Sequence, residues 1–560
     1  MKSAIVFLLL AVVGKQVLSI KTMEKCLKKP NDCTLVGVAA WETISACVKN
    51  AAEKNLIDHT CLVLPGRYQE KIPINGAEGL TIRGVYGEEK PIIDGTVELH
   101  PKDGTWTDIE VVDDKDTLST DDDEKHLACS GEIDSTVLEA YREAFGFGDD
   151  EEIHPFQLFF KQDNEFEMMI NARWPNAGWM KDTMMPPKWR EHSHITNKFA
   201  KDGVPKVFYN DFMRKWTYEE GKTDNVIGAF IDGNRNVEGC KEGNDCGSLL
   251  KDKNIDLTDA MVVLGINWWD SYHRRITEHT AGSDTFYYNV EAEYPADPTR
   301  PDKDKIKPHK DGTKYHQYYV DSLLSLMDTP WEWHYDMTTR TLSFVPPKGI
   351  ESCSEIEPTA IRGRVINYAM EFESTKDLTM KDLEFFASGI YAEGKDELND
   401  IDGITLDSID FQYPGTNRRM LKEDGLGKAN LIMSYAPKGR IVVENCKFYG
   451  SDCAALIHRG KDTLIKNNEF KFNDWSGPSV GNILASKATL KSQCKNGRKI
   501  NFGGETIKQN TFLYGGATIS ISPCPGATVS ENLVVGNRHG NLKHDGASIN
   551  VGVSTYFMQH

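Results

Sequence analysis

The sequence predicts an all-β chain whose second half is a parallel β-helix solenoid, on three observations. An eight-residue phrase recurs: LTMKDLEF from 378, ITLDSIDF from 404, IVVENCKF from 441, TLIKNNEF from 463, ETIKQNTF from 505 and ATVSENLV from 527, with a weaker LTIRGVYG from 80. From 378 onward the starts are 26, 37, 22, 42 and 22 residues apart. A minimal period with longer insertions is what stacked units show when loops grow on one side. Between the phrases lies a second alternating strand: 388–393, 429–434, 454–459, 481–486, 517–522 and 547–552. Six such strands form one parallel sheet at about 4.8 Å spacing. Asn468, Asn510 and Asn532 hold one place in three phrases, where side-chain amides can bond along the stack at a tight corner. A β-sandwich, the rival reading, carries no shared Asn-x-Phe corner.

The elements before the repeats follow in order. Residues 1–19 open with Lys2, an apolar run at 4–13 and small residues at Val17-Leu18-Ser19, the pattern of a signal peptide too short to span a bilayer. Residues 20–60 hold a short helical phrase, AAWETISACVKNAAEKN, placed to cap the open end of the solenoid. Residues 61–95 read as the first rungs, punctuated by Pro-Gly and Asn-Gly turns. Residues 96–355 break the period and read as an inserted β-sandwich or barrel. Its pieces at 156–176, 260–279 and 331–347 look antiparallel, with DMTTRT as a hairpin turn, and the acidic run Asp121-Asp122-Asp123 is a solvated loop. Residues 356–560 are the main β-helix, still in pattern at His560, which suggests an incomplete C-terminal end.

The chain has 560 residues, 39% hydrophobic, enough for a large core, and a formal charge of −19. That charge disfavours nucleic-acid and anionic-membrane partners, and a polyanionic substrate unless a local basic groove overrides it. Twelve cysteines fit an oxidising destination. Cys26, Cys33, Cys47 and Cys61 cluster near the first rung, and Cys240 and Cys246 close a loop that favours a local disulfide. Zinc is disfavoured because no CxxC or suitably spaced His accompanies them. No Asn-x-Ser/Thr sequon occurs. The expectation is a secreted, extracellular protein with no membrane contact after signal cleavage.

The run LPGRYQEKIPI, GLTIRG, KPIIDG, MMINARWPN, DSYHRRITEH and WEWHYDMTTRTLSFVPP, followed by the rungs, resembles the right-handed parallel β-helix proteins of the pectin-lyase-like superfamily. More narrowly it resembles the branch in which a β-rich subdomain interrupts the helix, which includes secreted glycoside hydrolases. The resemblance implies a right-handed solenoid and a carbohydrate substrate. It specifies the architecture well and the reaction poorly, because the superfamily hosts hydrolases, lyases, esterases and non-catalytic proteins.

Alternation along the six strands points Ile390, Leu431, Leu456, Ile483, Ile519 and Ile549 inward. It leaves a polar outer row that includes Tyr391, Glu393, Arg459 and Asn550. Such a face suits a carbohydrate groove. Glycoside hydrolysis needs two carboxyl groups roughly 5 to 10 Å apart. Asp452 and Asp474 are the preferred catalytic pair, with Trp475 beside them to stack on a sugar ring. Asp545 with His544 forms a second candidate centre. Asp452 and Asp545 sit three rungs apart, about 14 Å, and are not partners. His458 points inward and reads as a core histidine, and Asp270, His273, Arg274, Arg275 and His279 read as a structural network. Two other functions compete: a lyase acting on uronates through Arg459, Lys487, Lys543 or His544, with Ca²⁺ or an Arg neutralising the acid group, and a non-catalytic glycan-binding or matrix protein. The hydrolase needs no cofactor.

Overall fold

A computed structural model describes residues 23–26, 28–29, 32–37, 42–112, 125–174, 217–218, 227–231, 249–265, 272–290, 317–393, 401–416, 418–424, 431–451, 455–473, 483–485, 504–513, 519–521, 527–535 and 549–551. The segment expected to be a signal peptide and the Cys240/Cys246 loop lie outside them. Strands dominate, and no helix among the described residues is long and apolar enough to cross a membrane.

The repeated phrases stack in the register the sequence implies. Thr379 pairs with Thr81, Leu378 with Ile404, Ile404 with Ile441, Val442 with Leu464, Leu464 with Thr506, and Thr506 with Thr528, all in parallel. The end of each phrase builds a second parallel sheet of eight strands, from Arg67–Tyr68 and Ile92–Asp94 to Leu533–Val535. Its central positions stack Phe385, Phe411, Phe448, Phe470 and Phe512, with neighbouring ring centroids 5.0, 4.9, 4.6 and 4.8 Å apart. Identical side chains superpose because parallel register repeats every rung, so one Phe per phrase becomes a continuous aromatic column.

The corner between these two strands is made by one residue in the left-handed region: Asp382, Ser408, Asn445, Asn467, Gln509 and Glu531, at φ of 54, 58, 57, 54, 57 and 58°. Three of the six, Asp382, Asn445 and Asn467, are Asn or Asp, the short polar side chains that tolerate this conformation best. The next residue carries the expected amide ladder. Asn468 Nδ2 donates to Asn510 Oδ1 at 2.9 Å, and Asn510 Nδ2 to Asn532 Oδ1 at 3.0 Å. Each amide also donates to a backbone carbonyl of the rung before, and each oxygen accepts a backbone N–H. Cys446, buried and unbridged, occupies the ladder position one rung earlier, and burial pushes its thiol up to about 12.

The predicted capping helix is Ile44–Glu53, which buries Ile44, Cys47, Val48 and Ala51 in the main core. Thr43 caps it by accepting from Ala46 N at 3.1 Å, and Glu70 accepts from Ile44 N at 2.7 Å and Ser45 N at 3.0 Å. A carboxylate on the free N–H groups satisfies them and complements the helix dipole. The first sheet begins earlier than the expected rung at 61: Cys33–Val36 already pairs in parallel with Thr60–Val63. Cys26–Cys33 and Cys47–Cys61 are disulfides, and Cys129–Cys353 ties the start of the inserted region to its end.

The inserted region is antiparallel, with one correction. Glu332–Asp336 and Thr341–Phe344 form the expected hairpin around DMTTRT. Ile170–Asn171, however, pairs in parallel with Glu332 and Trp333, because this segment leaves the hairpin Gln157–Gln162/Glu165–Met168 and enters a different sheet. Thr96–Glu98, at the start of this region, pairs antiparallel with Ile361–Arg364, which lies beyond the end expected at 355. Trp333, Tyr335 and Phe344 share the core with the rungs, and a second apolar core gathers around Phe230, Phe286 and Tyr318.

Candidate functional site

The second alternating strand builds the face expected to form a groove. Ile390 pairs with Leu431, Leu456 with Ile483, Ile483 with Ile519, and Ile519 with Ile549. Ile390, Leu456 and Ile519 are fully buried, so the inward column follows from alternation as expected. By the same register Tyr391, Glu393, Arg459 and Asn550 hold positions on the opposite face, with Glu393 paired to Ser434 and Asn550 to Ser520. The side chains of Glu393, Arg459 and Asn550 lie outside the described residues.

Where this face is described, it carries aromatic and charged groups. Tyr391 is half-buried, and its ring lies 5.3 Å from that of Tyr368. Glu371 pairs with Tyr391 in register and accepts from Lys71 Nζ at 3.1 Å. An aromatic pair beside an ion pair offers both stacking and hydrogen bonding to a sugar.

Asp452, Asp474, Trp475, His544 and Asp545 lie outside the described residues. The residues immediately before the first two are joined. Ser451 N donates to Asn473 Oδ1 at 2.9 Å, and Asn473 Nδ2 donates to Phe448 O at 3.0 Å. Ser451 and Asn473 are both fully buried. Asn473 therefore repeats, at a second corner, the side-chain-to-next-rung bond that Asn468 makes to Cys446 N. His458 pairs with Met433 and Ala485, in the row of buried Ala392.

The DSYHRRITEH run supplies structure. In Tyr272–Glu278, Arg274 is buried and donates to the carbonyls of Asn289, His273 and Val290 at 3.1, 2.7 and 3.2 Å. His279 Nδ1 accepts Leu257 N at 3.1 Å, and burial lowers its pKa. Cys47, His59 and Cys61 come within metal-ligand distance of one another. The two sulfurs are bonded to each other, so neither offers the thiolate that zinc requires.

Two ionisable clusters were not anticipated. Glu384 and Asp410 pair on adjacent strands of the second sheet. Burial, then the charge of Asp410, pushes Glu384 up to about 7, while Lys90 Nζ sits 2.9 Å from Asp410 Oδ2. Beside them, fully buried Asp94 accepts from Arg67 at 2.6 Å and Arg362 at 3.0 Å, and both guanidiniums lie over the Phe166 ring of the inserted hairpin. This charged joint fastens the hairpin to the rungs. The sequence did hold part of its signal: Glu384 and Asp410 each stand just before the Phe of their phrase. The other cluster, around Arg173, Asp321 and Arg419, had no such signal.

No family model matches the chain, and no curated protein matches it. Among solved structures it is similar to one titled "Glycoside hydrolase", with 12% identity and a TM-score of 0.47, covering 92% of this chain and 89% of that one.

Proposed function

We propose that this chain is a secreted carbohydrate-active enzyme that hydrolyses glycosidic bonds of a polysaccharide, with its parallel ladders wound as a right-handed β-helix. Right-handedness is the general rule for parallel crossover connections. The acid/base pair of the proposal is Asp452 and Asp474, with Trp475, Tyr391, Glu393, Arg459 and Asn550 as substrate contacts and Asp545 with His544 as a second centre.

One observation supports the pair above the others: the hydrogen bond of 2.9 Å from Ser451 N to Asn473 Oδ1. It ties together the residues that directly precede the two aspartates, one rung apart. A separation of one to two strand spacings, roughly 5 to 10 Å, spans what a carboxyl pair needs in this reaction. One carboxyl then protonates the leaving oxygen, and the other acts as base or nucleophile at the anomeric carbon. Three disulfides among the described residues fit the extracellular setting.

The test is activity on neutral and acidic polysaccharides, reading reducing ends together with absorbance at about 235 nm, where unsaturated uronates absorb when acid–base elimination forms them. New reducing ends without absorbance, lost in both Asp452→Asn and Asp474→Asn, support the proposal. Absorbance insensitive to both substitutions replaces it with elimination at another centre, and no product on any substrate replaces it with glycan binding.

A further inference from the structure

The capping helix meets the first rungs at three side chains that are also metal ligands. Cys47 stands on the helix Ile44–Glu53, Cys61 on the strand Thr60–Val63, and His59 directly before that strand. All three are 0% exposed. One ligand atom from each lies within 4.8 Å of the other two, and His59 Nε2 is 4.0 Å from Cys47 Sγ. Thr34, paired in register with Cys61 on the neighbouring strand, brings its Oγ1 to 2.9 Å from the same nitrogen.

This spacing is close to that of a tetrahedral zinc centre. Bonds of about 2.3 Å to sulfur and 2.0–2.1 Å to nitrogen set ligand atoms roughly 3.3–3.8 Å apart. Small side-chain rotations close the difference. In the oxidised chain Cys47 and Cys61 are bonded to each other, and that bond already fastens the helix to the rung. A disulfide needs no imidazole beside it, whereas a two-thiolate zinc centre needs further ligands.

We infer that reduction of Cys47–Cys61 converts this staple into a zinc site, with both thiolates and His59 Nε2 as ligands and the Thr34 hydroxyl beside the fourth position. A dithiol reductant supplies two electrons and two protons: the S–S bond breaks, two thiols form, and the reductant leaves as its own disulfide. Zinc then forms two Zn–S bonds as both thiol protons pass to solvent. Charge selects the metal among those that favour thiolates. Two thiolates neutralise Zn²⁺, whereas Cu⁺ in the same place leaves one negative charge buried and uncompensated. The helix closes the end of the solenoid, so local opening there admits the ion without parting the rungs. The cap, which covers the first strand's edge, is thus held covalently in oxidising surroundings and by zinc in reducing ones. The inference is independent of hydrolysis in the groove.

Alkylation of the full chain tests it. The protein is reduced with a water-soluble phosphine, exchanged into buffer with or without zinc chloride, and treated with iodoacetamide, each cysteine being followed by peptide mass spectrometry. Zinc should slow alkylation of Cys47 and Cys61 by about tenfold or more, because a metal-held thiolate is no longer a free nucleophile. It should also slow deuterium exchange at the C2 position of His59, which metal ligation suppresses. His59→Gln should abolish the protection of both cysteines at the same zinc concentration, since even an outer-shell partner is worth roughly 10- to 100-fold in metal affinity. Equal alkylation with and without zinc overturns the site, and protection spread evenly over the other reduced cysteines overturns its specificity. Unchanged C2 exchange, or protection retained in His59→Gln, overturns the histidine ligand. If that variant fails to fold, the C2 exchange of the unaltered chain decides alone.

Discussion

Asn510→Ala removes the centre of the amide ladder, and the structure sets the size of the effect. Asn510 is 1% exposed. Its Nδ2 donates to Ile465 O and Asn532 Oδ1, both at 3.0 Å, while its Oδ1 accepts Asn468 N at 3.0 Å and Asn468 Nδ2 at 2.9 Å. Four bonds at a net value near 1 kcal/mol each, lost in a site where partners stay buried, give a destabilisation of about 3–5 kcal/mol. Asn532→Ala removes three bonds at a half-buried side chain, where water can replace part of what is lost, and should cost about 1–2 kcal/mol. Asn510→Asp should cost at least as much as alanine although it keeps the acceptor. A buried carboxylate turns oxygen toward Ile465 O and Asn532 Oδ1, where two donors stood. Urea denaturation followed by circular dichroism, with amide exchange at Asn468 as a local readout, measures all three. Asn510→Ala no more destabilising than Asn532→Ala would refute the reasoning, because the ladder would then contribute only through exposed contacts.

The aromatic column makes a parallel prediction. Phe448 is 1% exposed between Phe411 and Phe470, with centroids at 4.9 and 4.6 Å, so Phe448→Ala should lower stability by about 3–5 kcal/mol in the same assay. Glu384 predicts a pH dependence. Its pKa in the fold, about 7, lies above the ordinary 4.5, so the fold binds this proton more tightly than the unfolded chain does. Its contribution is complete below about 4.5 and is lost as pH rises through about 7, an upper limit of roughly 3 kcal/mol. Stability measured from pH 4 to 8 should therefore fall across that window in the unaltered chain, and Glu384→Gln should flatten the fall. An unchanged profile in the glutamine variant would count against the assignment.

Much of the architecture was legible in the sequence because it repeats. A strand's side-chain period of two and a unit period near 22 fix register wherever one face is apolar, since a slip of one residue exposes the whole column. The phrases beginning at Leu80, Leu378, Ile404, Ile441, Thr463, Glu505 and Ala527 consequently stack as their letters align. The amide ladder of Asn468, Asn510 and Asn532 follows from the same register. The capping helix was equally local, a short amphipathic run after Thr43. Tertiary structure alone decided the rest. Four early cysteines permit three pairings, and chain geometry selected Cys26–Cys33 and Cys47–Cys61. The parallel pairing of Ile170 with Glu332 and the gathering of Arg173, Asp321 and Arg419 at one cleft join segments more than ninety residues apart. A repeat announces its contacts because each unit meets a copy of itself. The inserted region meets unlike partners, and no local periodicity encodes which side chains those partners bring.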